Sequence, residues 1–488
     1  MTTTADYIEF HATERPDAVA LVHHARAITF AELNRDLRAL TRALAKLEVP
    51  TGGSVAVGAD DLYTHWLLLL AFERLGIATT SFLSVETEAS VRLLADVDLV
   101  LSEPHFPAVG ARRHCAITGE WLAQALALEP EDDEPALPCS ASDPLRILRT
   151  SGTTGSPKRI AHWRALHDAW AMGWIVMMGL GRHTRLLLTM SFSVNGMYAC
   201  ATACLRTGGT VVSADMRNAR DLVRAIADHR INAVILVPFQ LGQVLDALPP
   251  GFEKPPDLAI YSFGAAVSSV LRRRALDHLA TELLDIYGTN ETGVIVWIGA
   301  SRDDGSGTLW PGVRVEIVDD RDIALPRGQI GRIRAQTPHM VQAYLGDPEA
   351  TRRMFRDGWF YPGDLGILHG PGRLQILGRD DDLLNFGGRK IPAETLEQAI
   401  MKRVTLGDVA VCTIPNAEGI EALFIGVSDV GYDDSELLQR LNDALGPFRI
   451  EEFYVVKLPR IPRNANGKIQ RDLLKRAIAG AAATLPAR

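Results

Sequence analysis

The stretch "ILRTSGTTGSPKRIAH" (residues 147–162) opens on an apolar pair, runs through Thr, Ser and Gly, and closes on Pro-Lys. Such a loop offers backbone N–H groups, hydroxyls and one cation together, which is how a chain holds phosphate. It is not a Walker A loop. That pattern needs Gly, four residues, then Gly-Lys-Ser/Thr, whereas here Gly152 is followed by Thr-Thr-Gly-Ser-Pro before Lys158. Taken alone, the stretch reads either as a phosphate loop or as a plain polar turn.

On both sides of it, short β-rich runs alternate with helical patterns. "SVAVGA" precedes "DLYTHWLLLLAFERLG", "INAVILVP" precedes "FQLGQVLDAL", and "LAIYSFG" precedes "SSVLRRRALDHLA", with "LLDIYGT" next. Near-continuous apolar strands alternating with helices predict βαβ units and buried parallel sheets. Ligands of such sheets sit beyond the carboxyl ends of strands, where "YSFGAA" and "IYGTNETG" would lie. An earlier helix is predicted over 29–45, with Phe30, Leu33, Leu37, Leu40 and Leu44 at helical spacing and Thr29/Glu32 as a capping box. The acidic, proline-rich segment 129–144 is a surface connection into the opening loop. After residue 382 a smaller α/β pattern follows: a helix over 392–403, strands "DVAVCTIP" and "ALFIGVSD", a helix "DSELLQRLNDAL" and a strand "FYVVKLP".

The chain has 488 residues, so more than one domain is expected. Its net charge of −8 argues against a broad nucleic-acid surface. Cys115, Cys139, Cys200, Cys204 and Cys412 make no disulfide framework, which fits a cytoplasmic protein. Cys200 and Cys204 lie one helical turn apart and read as two small residues on a buried helix face, since no second ligand pair completes a metal site. The N-terminus has neither a basic start nor an apolar core. The greasiest runs, "HWLLLLAF" and "AMGWIVMMGL", fall short of the ~20 residues of a bilayer span. No membrane association is expected.

Four further motifs follow the opening loop in order: "YGTNETG" (287–293), "GWFYPGDLG" (358–366), "LGRDDDLLNFGGRKIPAETLE" (377–397) and "PRNANGKIQR" (462–471). Together the five resemble the core motifs of the adenylate-forming superfamily, which contains acyl- and aryl-CoA synthetases, nonribosomal-peptide adenylation domains and luciferases. The resemblance runs from residue 147 nearly to the C-terminus; the first third fits by length and strand pattern only. It implies an α/β fold: a large N-terminal domain of parallel-rich sheets with helices (1–377), a hinge (378–381), and a small mobile C-terminal α+β lid (382–488). It also implies a reaction in two halves. A carboxylate attacks the α-phosphate of ATP to give acyl-AMP and pyrophosphate, and a thiol then displaces AMP.

Residue roles carry over by the same resemblance. Thr150, Ser151, Thr153, Thr154 and Lys158 would hold the β- and γ-phosphates, with Gly152 and Gly155 admitting close backbone approach. Tyr287 would stack on adenine, with Gly264, Ala265, Gly288 and Thr289 beside the nucleotide. Glu291 would bind Mg²⁺, a hard cation that prefers carboxylate oxygen. Asp364 would accept from the ribose hydroxyls and Arg379 would support them. Asp381 marks the hinge. Gly387 and Gly388 would line the path of a pantetheine thiol. Lys468 would bridge the substrate carboxylate and the α-phosphate. Two positions depart from the family pattern: Asn290 stands where relatives carry Thr or Ser, and still offers an amide donor to the α-phosphate; Pro362 replaces a Thr.

Twelve residues before Thr207 lies Asn195, where amino-acid activators carry an Asp for the α-ammonium. Asn cannot supply that charge, and some aryl-acid activators carry Asn here. The aligned pocket wall is Asn195, Gly196, Ala199, Leu236, Tyr261, Phe263, Ile286 and Val294, which suits a hydrophobic or aromatic carboxylic acid. No carrier segment follows residue 488, so the acceptor is expected to be CoA or the phosphopantetheine of a separate carrier protein, with an amine as a further option. The rival readings are a P-loop phosphotransferase, disfavoured by the loop spacing, and a non-catalytic nucleotide-binding relative, disfavoured by retention of Lys468, Glu291 and Asp364.

Overall fold

The structure, a computed structural model, describes residues 2–86, 88–111, 113–129, 140–150, 158–299, 306–370, 372–380, 382–386, 389–415, 421–428, 430–448, 450, 453–463 and 469–482. Two large sheets build its N-terminal part. The first runs His114–Ala116, Leu99–Ser102, Ser54–Gly58, Ala78–Ser81, Pro144–Arg149, Arg159–Trp163. Its neighbours pair parallel up to the last pair, which is antiparallel. The second has a central parallel run, Glu282–Thr289, Ala259–Phe263, Ala233–Ile235, Arg185–Leu188, Thr210–Ser213 and Val19–His23. Antiparallel strands extend it at both ends, as far as Arg26–Thr29 on one side and Phe355–Arg356 on the other.

The parallel strands of the second sheet are mostly apolar at their centres because both faces are covered. Successive residues feed different cores: Ala233 and Ile235 point to one cluster and Val234 to the other, and Leu186 and Leu188 divide from Leu187 in the same way. The helices Leu62–Arg74 and Asn195–Arg206 belong to the first cluster, which draws on strands of both sheets, including Val55 and Leu186. Leu67–Leu70 are at most 1% exposed, each side chain contributing about 1.5–3 kcal/mol over an exposed position. "HWLLLLAF" is therefore a core helix. Among the described residues no helix is long and apolar enough to cross a membrane. Cys200 and Cys204 are fully buried, their thiols on Met178 Sδ and the Thr210 carbonyl.

The predicted early helix is Phe30–Ala45, with the Thr29/Glu32 capping box formed in both directions. The C-terminal part is a small α+β unit. Strands Asp408–Pro415, Glu421–Ser428 and Tyr454–Lys457 form one sheet. Helices Ala393–Met401, Asp434–Leu445 and Arg471–Ala482 pack on it around cores of their own, including Leu396, Ile425, Leu441 and Leu474. The strand Arg373–Arg379 pairs with Asp364–Leu368 in the large sheet, Arg379 opposite Asp364. It thus runs two residues into the expected hinge segment.

Candidate active site

The antiparallel pair Pro144–Arg149 and Arg159–Trp163 brings the two ends of the opening loop together. Thr150 N–H donates to the Lys158 carbonyl at 2.8 Å, and Lys158 N–H to Thr150 Oγ1 at 3.3 Å. Ser151, Gly152, Thr153, Thr154 and Gly155 lie outside the described residues, as do Asp381, Gly387, Gly388 and Lys468.

Thr150 and Lys158 line a cleft of about 1360 Å³. Asn195, Gly196, Phe263, Gly264, Ile286, Gly288, Thr289, Asn290, Glu291, Val294 and Arg379 line it too. Three of the expected pocket residues do not reach it: Tyr261, Ala199 and Leu236 are core residues. The Tyr261 hydroxyl lies toward the Met178 carbonyl, and Leu236 faces the opposite side of the sheet, away from the cluster of Ile235. Ala265 sits half-buried next to Gly264, off the cleft surface.

One wall is a chain of contacts. Lys158 Nζ stands 5.5 Å over the Tyr344 ring, and the Tyr344 hydroxyl donates to Glu291 Oε1 at 2.8 Å. Glu291 sits in a tight turn whose pivot is Thr289 Oγ1, which accepts the N–H groups of Glu291 and Thr292 at 3.2 Å each. His162 Nε2 donates to the Asn290 carbonyl at 2.7 Å. Burial pushes the His162 imidazole down to about 4, so it is a neutral prop and not a charge. Gly288 is dictated by this turn, because a Cβ there would lie 2.3 Å from the Gly293 carbonyl oxygen. Glu291 therefore presents a fixed carboxylate on the cleft wall, one oxygen held by Tyr344. That donor fits a hard cation such as Mg²⁺, which when bound would neutralise phosphate charge.

On the other side the Tyr287 hydroxyl donates to Asp364 Oδ2 at 2.5 Å, while Arg379 Nη1 donates to the Pro362 carbonyl at 2.6 Å and lies 3.4 Å from Asp364 Oδ1. Burial, then the Asp364 charge, hold the Tyr287 phenol well above its ordinary range. Pro362, Gly363 and Arg379 line the cleft, with Tyr287 and Asp364 just behind them. Asn195 is 3% exposed and neither atom of its amide has a hydrogen-bond partner among the described residues. Asn195 lines the cleft with its amide buried, and the adjacent Gly196 packs against the Phe263 ring.

Several residues escaped the sequence reading. Tyr344 orients Glu291, and its only signal is an aromatic in "MVQAYLG" that is neither strand nor helix. Arg149 pairs with Glu86 through two contacts of 2.6 and 2.7 Å. Trp170, Trp174 and Trp310 add aromatic lining. Glu394, on the helix Ala393–Met401, packs its Cβ near Gly378 and is raised to about 7, first by burial, then by the charges of Glu397 and Asp364, with Arg471 opposing. A carboxyl held at about 7 against an ordinary 4.5 binds a proton in the fold that the unfolded chain has lost. Stability is thus full below 4.5 and falls as pH rises through that window. Glu394→Gln is expected to flatten this dependence and to stabilise the protein near pH 8 by about 1–3 kcal/mol. Thermal melts of both proteins at about pH 5 and pH 8 check this; parallel curves would remove Glu394 as the cause.

Residues 8–345 match the AMP-binding enzyme family, and the chain belongs to it. It is an adenylate-forming enzyme, a ligase that activates a carboxylic acid with ATP. Among curated proteins it is 26% identical to a 4-chlorobenzoate–CoA ligase of an Arthrobacter species, over all of this chain and 97% of that one. It is also 26% identical to the fatty acid–[acyl-carrier-protein] ligase ScoC of Streptomyces coeruleorubidus, over 97% of this chain and 96% of that one. Its fold matches ATP-bound MatB from Rhodopseudomonas palustris with a TM-score of 0.85 at 22% identity, covering 97% and 99% of the two chains.

Proposed function

We propose that the protein converts a hydrophobic or aromatic carboxylic acid to its acyl-adenylate and then passes the acyl group to a thiol, CoA in the first place. A carboxylate oxygen bonds to the α-phosphorus as the bond to the pyrophosphate oxygen breaks; the thiolate then attacks the acyl carbon and AMP leaves. Lys158, Thr150 and the loop 151–155 hold the departing phosphates. Asn290 and Lys468 serve the α-phosphate, and Glu291 provides the Mg²⁺ ligand. Asp364 and Arg379 take the ribose once Asp364 exchanges the Tyr287 hydroxyl for those of the sugar, and Tyr287 and Gly264 flank adenine. Asp381 pivots the lid, and Gly387 and Gly388 admit the thiol arm.

The observation that carries the acid assignment is Asn195. A buried amide without a partner costs stability unless a ligand completes it. Set beside Phe263, Trp174 and Val294, it suits an aromatic acid bearing a hydrogen-bonding substituent. The 4-chlorobenzoate–CoA ligase supports an aromatic acid and CoA; the acyl-carrier-protein ligase supports the alternative, a carrier-bound thiol. Asn195→Asp is expected to lower kcat/KM for the preferred acid at least tenfold, because a buried charge replaces a neutral donor–acceptor. A panel of carboxylic acids scored by pyrophosphate release, with and without CoA, measures this. An unchanged order of preference in the variant would remove Asn195 from the acid pocket.

A further inference from the structure

The turn after the strand Val19–His23 is built from His24 and Ala25, both left-handed, at φ +47° and +62°. Hairpin turns of this kind ordinarily use Asn and Gly, since other side chains are strained there. This turn places two imidazoles, their ring centroids 4.1 Å apart, against Asp61, the N-cap of the helix Leu62–Arg74. His23 Nε2 is 2.6 Å and His24 Nε2 3.9 Å from Asp61 Oδ2. The second ligand atoms of Asp61 and His23 are already engaged. Asp61 Oδ1 accepts from Thr64 N and Oγ1 at 2.8 and 2.7 Å, and His23 Nδ1 lies 2.6 Å from Ser213 Oγ.

We propose that His23, His24 and Asp61 form a divalent-metal site for a borderline cation of the zinc class. One ligand atom from each of the three residues lies within 4.8 Å of the other two. Bonds of 2.0–2.2 Å in tetrahedral geometry put ligand atoms about 3.3 Å apart, between the two separations seen here. His23 is oriented through its second nitrogen and Asp61 through its second oxygen, as metal ligands usually are. Imidazole ligands select Zn²⁺, Ni²⁺ or Co²⁺ over Mg²⁺, so this site is chemically separate from Glu291. In the metal-free protein His23 Nε2 is hydrogen-bonded to Asp61 Oδ2 at 2.6 Å, and a bound metal would take the place of that hydrogen bond. The bound ion would tie the turn of one large sheet to the helix that lies between the sheets. A neighbouring group, Asp60, Glu103 and His105, has one imidazole, and its His105 Nε2 is on Asp60 at 2.8 Å; it serves as the control.

The test is calorimetric titration of the tag-free, chelator-stripped full chain with ZnCl₂, without nucleotide. His24→Asn and Asp61→Asn keep the local structure, since Asn accepts a left-handed conformation and caps helices well. Wild type is expected to bind one Zn²⁺, and each variant to bind it at least tenfold more weakly, as removal of a ligand requires. His105→Gln is expected to bind as wild type does. No saturable binding by wild type at concentrations on the order of 100 µM would overturn the site. So would equal binding by all variants, or a loss confined to His105→Gln.

Discussion

Lys468→Ala is expected to slow acyl-adenylate formation by on the order of 10² or more, the scale of one lost transition-state contact. The same variant should leave thioester formation from supplied acyl-adenylate much less affected. The loop that carries this lysine has a firm stem. Arg463 and Ile469 form an antiparallel bridge, Gln470 N–H donates to the Pro462 carbonyl at 2.9 Å, and Arg463 is bound to Asp408 at 2.7 and 2.8 Å. A point charge on a short Asn- and Gly-rich loop, presented from the small unit, can serve one half-reaction and leave for the other. Single-turnover measurement of both halves separates the outcomes. Equal losses would mean that Lys468 serves binding common to both steps.

Glu291→Gln carries the second large effect. The amide keeps the volume and can still accept from the Tyr344 hydroxyl, so the turn Thr289–Thr292 should fold unchanged. What is lost is the negative charge presented to the cation. Adenylation is expected to fall by roughly 10²–10³ and to require more Mg²⁺. Tyr344→Phe, which frees the carboxylate without removing it, should cost about tenfold. Mg²⁺ titrations of pyrophosphate release compare the three proteins. A Glu291→Gln enzyme with the wild-type Mg²⁺ midpoint would take Glu291 out of the metal role.

Much of this architecture is legible in the sequence because each motif combines local turn chemistry with strand or helix periodicity. The two helices and three strands expected in the C-terminal unit lie where apolar spacing puts them, the helix predicted over 392–403 being trimmed to Ala393–Met401; the helix Arg471–Ala482 is not read from the sequence. The cleft wall is only partly legible, because alignment fixes which element a residue occupies and not its depth. Phe263 ends its strand at the cleft. Tyr261 lies two residues back on the same face, about 6.6 Å deeper, against Met178. Ala199 lies one helical turn below Asn195 in the same way. Tyr344 and Glu394 could not be read at all. Their importance comes from contacts at long range, with Glu291 53 residues away and with the surroundings of Asp364.

The most direct test of the central claim is product analysis with ATP, Mg²⁺ and a panel of aromatic and aliphatic carboxylic acids. The account predicts pyrophosphate and acyl-adenylate only when the matching acid is present, and, once CoA is added, AMP and a thioester in amounts equal to the pyrophosphate. ADP with inorganic phosphate, or nucleotide turnover indifferent to any acid, would contradict it.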